Sequence, residues 1–231
     1  MIKKALIWIV AALSLIGITV WQFAFGKVNY YIVSAAMLVL SMLPFFASFE
    51  WRKRSEREIT LVATLIAIAV ASRAVFYLIP QVKPIAAVVI VSAACLGAER
   101  GYVIGAFSAF ISNFIFGQGM WTPFQMAALG AVGLISGLLF RTVKPNRWIL
   151  SISGFVLSFA VYGAIVDIST VLAAYGNNIT LAGIISVYVS GAPFSFAFGL
   201  STAVFLFIFG EPFITKINRL NTKYEIIKGS V

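Results

Sequence analysis

Histidine is absent from this chain, and cysteine occurs once, at Cys95. Those two absences exclude an imidazole base, His- or Cys-rich metal and haem sites, and any intrachain disulfide. Charge is scarce too: 10% of residues are charged, and only seven are acidic. Five of the acids, Glu50, Glu56, Glu58, Glu211 and Glu225, read as loop or tail residues. Paired-carboxylate chemistry would need Asp167 and Glu99, which the topology below sets on opposite sides of a membrane. No GxxxxGK[ST] occurs, so the chain cannot cradle ATP by a P-loop. It is read as a non-enzyme that needs no cofactor.

What is abundant is apolar surface. Hydrophobic residues make up 61% of the chain and the mean hydropathy is +1.03. Soluble domains run nearer about half apolar and about a quarter charged, so the sequence describes an integral membrane protein. The net charge of +10 could suggest nucleic acid as a partner. The basic residues, however, cluster between apolar runs, as topology signals do, and nucleic acid is not expected.

Apolar runs fall near 5–25, 29–49, 59–79, 85–97, 102–117, 123–140, 148–174 and 180–209. A helix needs about 20 residues to cross the hydrocarbon core, and most of these runs suffice. The first is too long for a signal peptide and lacks a small-x-small cleavage site, so it reads as a retained span. The fourth, IAAVVIVSAACLG, is short and could join the fifth as one broken helix. Charge decides between the two readings. With eight spans and the N-terminus inside, the cytoplasmic segments hold 14 of the 17 basic residues. The outer loops then hold only Lys27 and Lys83, with Arg73 inside a span. Merging the fourth and fifth runs would send Arg141, Lys144 and Arg147 outside, against the positive-inside bias. Both termini are therefore expected in the cytoplasm.

The predicted fold is an all-α integral membrane protein. A two-span hairpin (1–50) precedes a basic cytoplasmic loop (51–58, within EWRKRSERE), a six-span bundle (59–210) and a cytoplasmic tail (211–231). No internal repeat is evident, which weakens an inverted-repeat transporter reading.

Within the six-span block, small residues recur every four positions: Ala63, Ala67, Ala71; Gly97, Gly101, Gly105, Ala109; Gly133, Gly137. Four-residue spacing gathers them on one helix face, which permits close backbone approach. Such a face can pack inside the bundle or accept a partner's helix. Arg73 and Asp167 are charges within spans, each 6 or 7 residues from the expected outer end. Equal depth predicts either a structural ion pair or the floor of an outward-facing polar cavity.

The outer loops share one character. SNFIFGQGMWTPFQM (112–126) carries no charge, and Thr122-Pro123-Phe124-Gln125 has the form of a capped helix start. Asn113, Gln118 and Gln125 offer amides, Trp121 a flat face, and Gly117 and Gly119 backbone freedom. IPQVKP (79–84) adds Gln81 and Lys83, and AAYGNNIT (173–180) adds Tyr175, Asn177 and Asn178. These loops beside Arg73 and Asp167 predict a small-molecule site built of hydrogen bonds and stacking.

On the alanine stripe, the six-span length, the loop SNFIFGQGMWTPFQM and the missing ATPase motif, residues 59–210 resemble the substrate-binding S components of energy-coupling factor (ECF) ABC vitamin transporters. RAVFYLIPQVKP with SNFIFGQGMWTPFQM is most similar to a cobalamin-specific branch; residues 1–50 depart from the family as two extra spans. The resemblance implies a subunit that binds its vitamin outside, docks on a membrane coupling protein carrying two ATPases, and topples to release the vitamin inside. It would place Ala63, Ala67 and Ala71 against the coupling protein, with the loops at 79–84, 117–122 and 175–178 binding and gating the vitamin. The alternatives are an S component for a pyrimidine, pyridoxine or riboflavin type of ligand, an autonomous ion-coupled carrier using Arg73 and Asp167, or a structural subunit.

Overall fold

A computed structural model of the protein describes residues 55–176 and 178–224, together with Ile32, Ala36 and Val39. Apart from those three helical positions, the expected hairpin at 1–50 lies outside the described residues. So do positions 51–54 of the basic loop, Asn177 and the tail beyond 224.

The first described helix, α1 (Glu56–Val75), starts three residues before the apolar run. Ser55 explains the early start: its Oγ accepts the Glu58 backbone N–H at 3.2 Å. Glu56 and Glu58 occupy the first turn, where the helix dipole favours negative charge. Five helices follow: α2 (Ile85–Leu96), α3 (Ala98–Phe116), α4 (Thr122–Thr142), α5 (Arg147–Tyr175) and α6 (Leu181–Tyr224). No strand occurs among the described residues. Four of the helices, α1, α4, α5 and α6, are long and apolar enough to cross a membrane. The secondary structure of the described residues is thus all helical, with the helices of a multi-pass membrane protein.

Two polar contacts set the helix directions. Arg100 near the start of α3 pairs with Glu58 near the start of α1, Nε to Oε1 2.8 Å. Arg73 near the end of α1 donates to Asn113 near the end of α3 at 2.9 Å. Helices α1 and α3 are therefore parallel, and α2 runs back between them. The chain reverses at Gly97, whose φ of +88° lies in the left-handed region that favours glycine. Residues 85–117 thus form two antiparallel helices rather than one broken helix. Helix α2 has 12 residues and spans about 18 Å, short of the roughly 30 Å hydrocarbon core. Ala86, Val89, Ile90 and Ala93 on it are fully buried. It is apolar all round because its neighbours are helices, not lipid. Its Val89 and Ile90 form the core with Leu65, Ile104, Leu150 and Leu206.

The glycine stripe is internal packing. A Cβ on Gly101 or Gly133 would overlap the carbonyl of the other, so α3 and α4 cross at backbone contact. The alanine stripe is the opposite case: Ala63, Ala67 and Ala71 all face outward from the bundle.

Helix α6 has 44 residues and two internal prolines, Pro193 and Pro212, and at about 66 Å outruns any bilayer crossing. It passes 210 without a break, so Glu211 is helical, not a tail residue. Its carboxylate accepts the Arg147 backbone N–H at 2.8 Å. Glu56 and Glu58 likewise belong to a helix rather than a loop, since Ser55 caps the chain upstream of them.

Candidate functional site

A cavity of about 410 Å³ opens at the Arg73 end of the bundle. Its walls come from the end of α1 (Arg73), the connection to α2 (Gln81, Lys83), α4 (Gln125), α5 (Tyr162, Asp167, Thr170) and α6 (Ser190, Phe194, Ser195). Ile85, Leu129, Val187 and Phe198 supply apolar lining. Two features of α5 and α6 shape the far wall. Leu157–Tyr162 is a π-helical segment inside α5, which resets the helical phase just before Gly163 and Asp167. Gly191 on α6 lies so close to Asp167 that an added Cβ would sit 2.9 Å from both carboxylate oxygens.

Arg73 is fixed by three groups on α3. One guanidinium nitrogen donates to Ser112 Oγ and to Asn113 Oδ1. The guanidinium also stacks over the Phe116 ring, 4.2 Å from its centroid. Lys83 reaches the same ring at 5.3 Å. Burial, and then the nearby Arg73, hold the Lys83 ammonium below the usual lysine range.

Asn113 organises the near wall. Only 1% exposed, it accepts from Arg73, donates Nδ2–H to Thr122 Oγ1 at 3.0 Å, and donates to Gln125 Oε1 at 2.8 Å. The loop ahead of α4 closes on the same hydroxyl. Thr122 donates to Gln118 Oε1 at 2.9 Å and accepts from the Gly119 N–H at 3.2 Å. Gln118 Nε2 is tied back to the Phe110 carbonyl at 2.9 Å. Thr122 is therefore not the N-cap that its sequence suggests. The helix already includes it, Trp121 holds the cap position without a side-chain bond, and the hydroxyl serves as the hub of a latch.

The cavity brings together Arg73, Gln81, Lys83, Gln125 and Asp167 from the predicted site. Asn113 stands behind it. Gln118, Trp121, Tyr175 and Asn178 do not line it. The Gln118 amide is engaged within the loop, and the Trp121 ring covers Gly119 while remaining 45% exposed. Tyr175 bonds Ser186 at 3.0 Å, and the Asn178 N–H donates to the Tyr175 carbonyl at 2.8 Å. Nor do Arg73 and Asp167 form an ion pair: Arg73 is held against α3, while Asp167 stands on the opposite wall. Among the described residues, no hydrogen bond or ion pair engages the Asp167 carboxylate.

Tyr162, Thr170, Ser190 and Ser195 are lining residues the sequence reading missed. The available signal was SGAPFSF at 190–196, where serines, small residues and a proline interrupt an apolar run. The proline removes a helical hydrogen bond beside the cavity.

Two cations, one carboxylate, hydroxyls, two amides and aromatic faces converge on an open cavity. That composition can orient a small polar molecule by hydrogen bonds and charge, with Phe194 and Phe198 covering its apolar part. No curated protein and no solved structure matches the chain. Residues 53–219, which carry every lining residue of the cavity, match a family of unknown function, DUF6580, and the chain belongs to that family.

Proposed function

We propose that the protein is the substrate-binding subunit of a membrane importer, similar to an ECF S component, and that its cavity takes a small water-soluble molecule from outside the cell membrane. The observation that carries this reading is the cavity itself: about 410 Å³, lined by Lys83 and Asp167 among its polar groups, with no ion pair on either among the described residues. Helix directions put Arg100, Arg141, Arg147, Lys216 and Lys223 at the end opposite Arg73, which supports a cytoplasmic face there. The outward-facing Ala63, Ala67 and Ala71 suit docking on a coupling protein that carries two ATPases.

Cavity volume bears on the substrate. Ligand pockets run about 300–1,000 Å³, and this one, at about 410 Å³, stands at the lower end. Cobalamin, with a corrin ring and a nucleotide loop, exceeds it; a pyridoxine- or pyrimidine-sized ligand fits.

A second reading draws on Asp167. An unpaired carboxylate at membrane depth is also what an ion-coupled carrier uses. One experiment separates the two. The tagged protein, purified from its native membranes, is expected to bring down a membrane coupling protein and ATPases, and Ala67→Leu to lose them while remaining equally stable. Purification alone, with solute uptake driven by an ion gradient in liposomes, would instead identify a carrier.

A further inference from the structure

The cavity separates its charges. Arg73 and Lys83 both lie over Phe116 on one side, and no acidic group within ion-pair distance neutralises either of them among the described residues. Two cations crowd one aromatic ring, each raising the cost of the other. Asp167 faces them from α5 across the cavity, with the backbone of Gly191 against its carboxylate and, among the described residues, no hydrogen-bond donor upon it. At membrane depth each charge without a partner is costly, and direct pairing of Arg73 with Asp167 would have removed much of that cost. The protein instead holds the two poles apart. Ser112, Asn113 and Phe116 restrain Arg73, and Gly191 lets the Asp167 carboxylate lie against α6, where the Cβ of any other residue would collide with it.

We infer that the cavity selects a zwitterion: a small molecule with a carboxylate or phosphate at the Arg73–Lys83 pole, a protonated amine at Asp167, and an apolar middle. This rests on the reading of the cavity as a ligand site and names the class of ligand it admits. The anionic group completes the two cations as one site, and the ammonium provides the donor that Asp167 lacks. The apolar middle lies against Phe194 and Phe198.

The test uses the purified full-length protein and three probes of one shape: 4-(aminomethyl)benzoate, benzoate and benzylamine. Binding is read by calorimetry and by the shift in unfolding temperature. The zwitterion is expected to bind at least about tenfold more tightly than either singly charged analogue, a difference well resolved by titration. Asp167→Asn should reduce its affinity to that of benzoate, and Lys83→Gln should shift preference toward benzylamine. Equal binding of all three probes, an advantage that survives Asp167→Asn, or no binding of any probe at millimolar concentration would overturn the inference.

A phosphatidylethanolamine headgroup presents the same two poles. Repeating the titration in phosphatidylglycerol nanodiscs with and without that lipid assigns the source: competition makes the headgroup the occupant, and its absence leaves a soluble zwitterion. Co-purification of ATPases is an independent result. A protein that retains those partners yet binds benzoate or benzylamine as tightly as the zwitterion would refute the inference and leave the importer reading standing.

Discussion

Asn113→Leu is expected to lower the thermal stability of the protein sharply and to abolish ligand binding. Leucine keeps the branched outline, at a larger volume, but leaves three groups without their partner: the Arg73 guanidinium, the Thr122 hydroxyl and the Gln125 amide oxygen. A buried polar group stripped of its partner costs about 1–3 kcal/mol. Arg73 keeps Ser112 and Phe116, and Thr122 keeps Gln118, so the losses do not reach their full sum. At this chain length even one such loss lowers the unfolding midpoint by roughly 2–4 °C, and several together by more. Because Asn113 joins α1, α3 and α4, the near wall of the cavity loosens with it. Thermal unfolding in detergent checks the prediction, and an unchanged midpoint would show that this cluster does not hold the wall.

Insertion of a single alanine between Gly163 and Ala164, just downstream of the π-helical segment, should have an equally large effect on the far wall. The π segment already absorbs one extra residue and keeps the helix on either side of it in phase, whereas a second extra residue turns everything downstream by about 100° relative to everything upstream. Leu150 and Gly154 pack into the core upstream, while Asp167 and Thr170 line the cavity downstream. The lengthened helix cannot satisfy both. The expected outcome is loss of ligand binding with reduced stability. An insertion variant as stable as the wild type, with unchanged binding, would show that the phase of this helix does not set the site.

These two places also mark where the sequence stops being readable. The long apolar runs and the basic residues Arg141, Lys144 and Arg147 are strong signals, because hydrocarbon tolerates neither exposed backbone nor charge. They indicated that residues 85–117 hold two helices and not one. Arg73 and Asp167 were legible for the same reason, as rare charges inside spans. Their separation was not, since it depends on Ser112, Asn113 and Phe116 holding Arg73 from a helix that spacing alone does not place beside it. Gln118 and Trp121 misled because composition carries no direction. An amide-rich loop reads the same whether its amides meet a ligand or, as here, Thr122 and Phe110. The two small-residue stripes make the point again. Gly101 meets Gly133 at backbone contact while Ala67 faces outward, although both stripes repeat every four residues. Tyr162 and Ser195 were missed because the π segment shifts the phase of α5 and Pro193 interrupts α6, which blurs any regular face.

The ligand site itself is tested most directly by extracting what the protein carries. Ser190 lines the cavity and is exposed, so Ser190→Trp fills the opening without disturbing the core. Native mass spectrometry of both proteins, purified from the same membranes without dialysis, compares what each releases. The wild type is expected to release a polar molecule of a few hundred daltons, and Ser190→Trp, equally folded, to release none. The same release from both proteins, or none from the wild type, would contradict a binding function for this cavity.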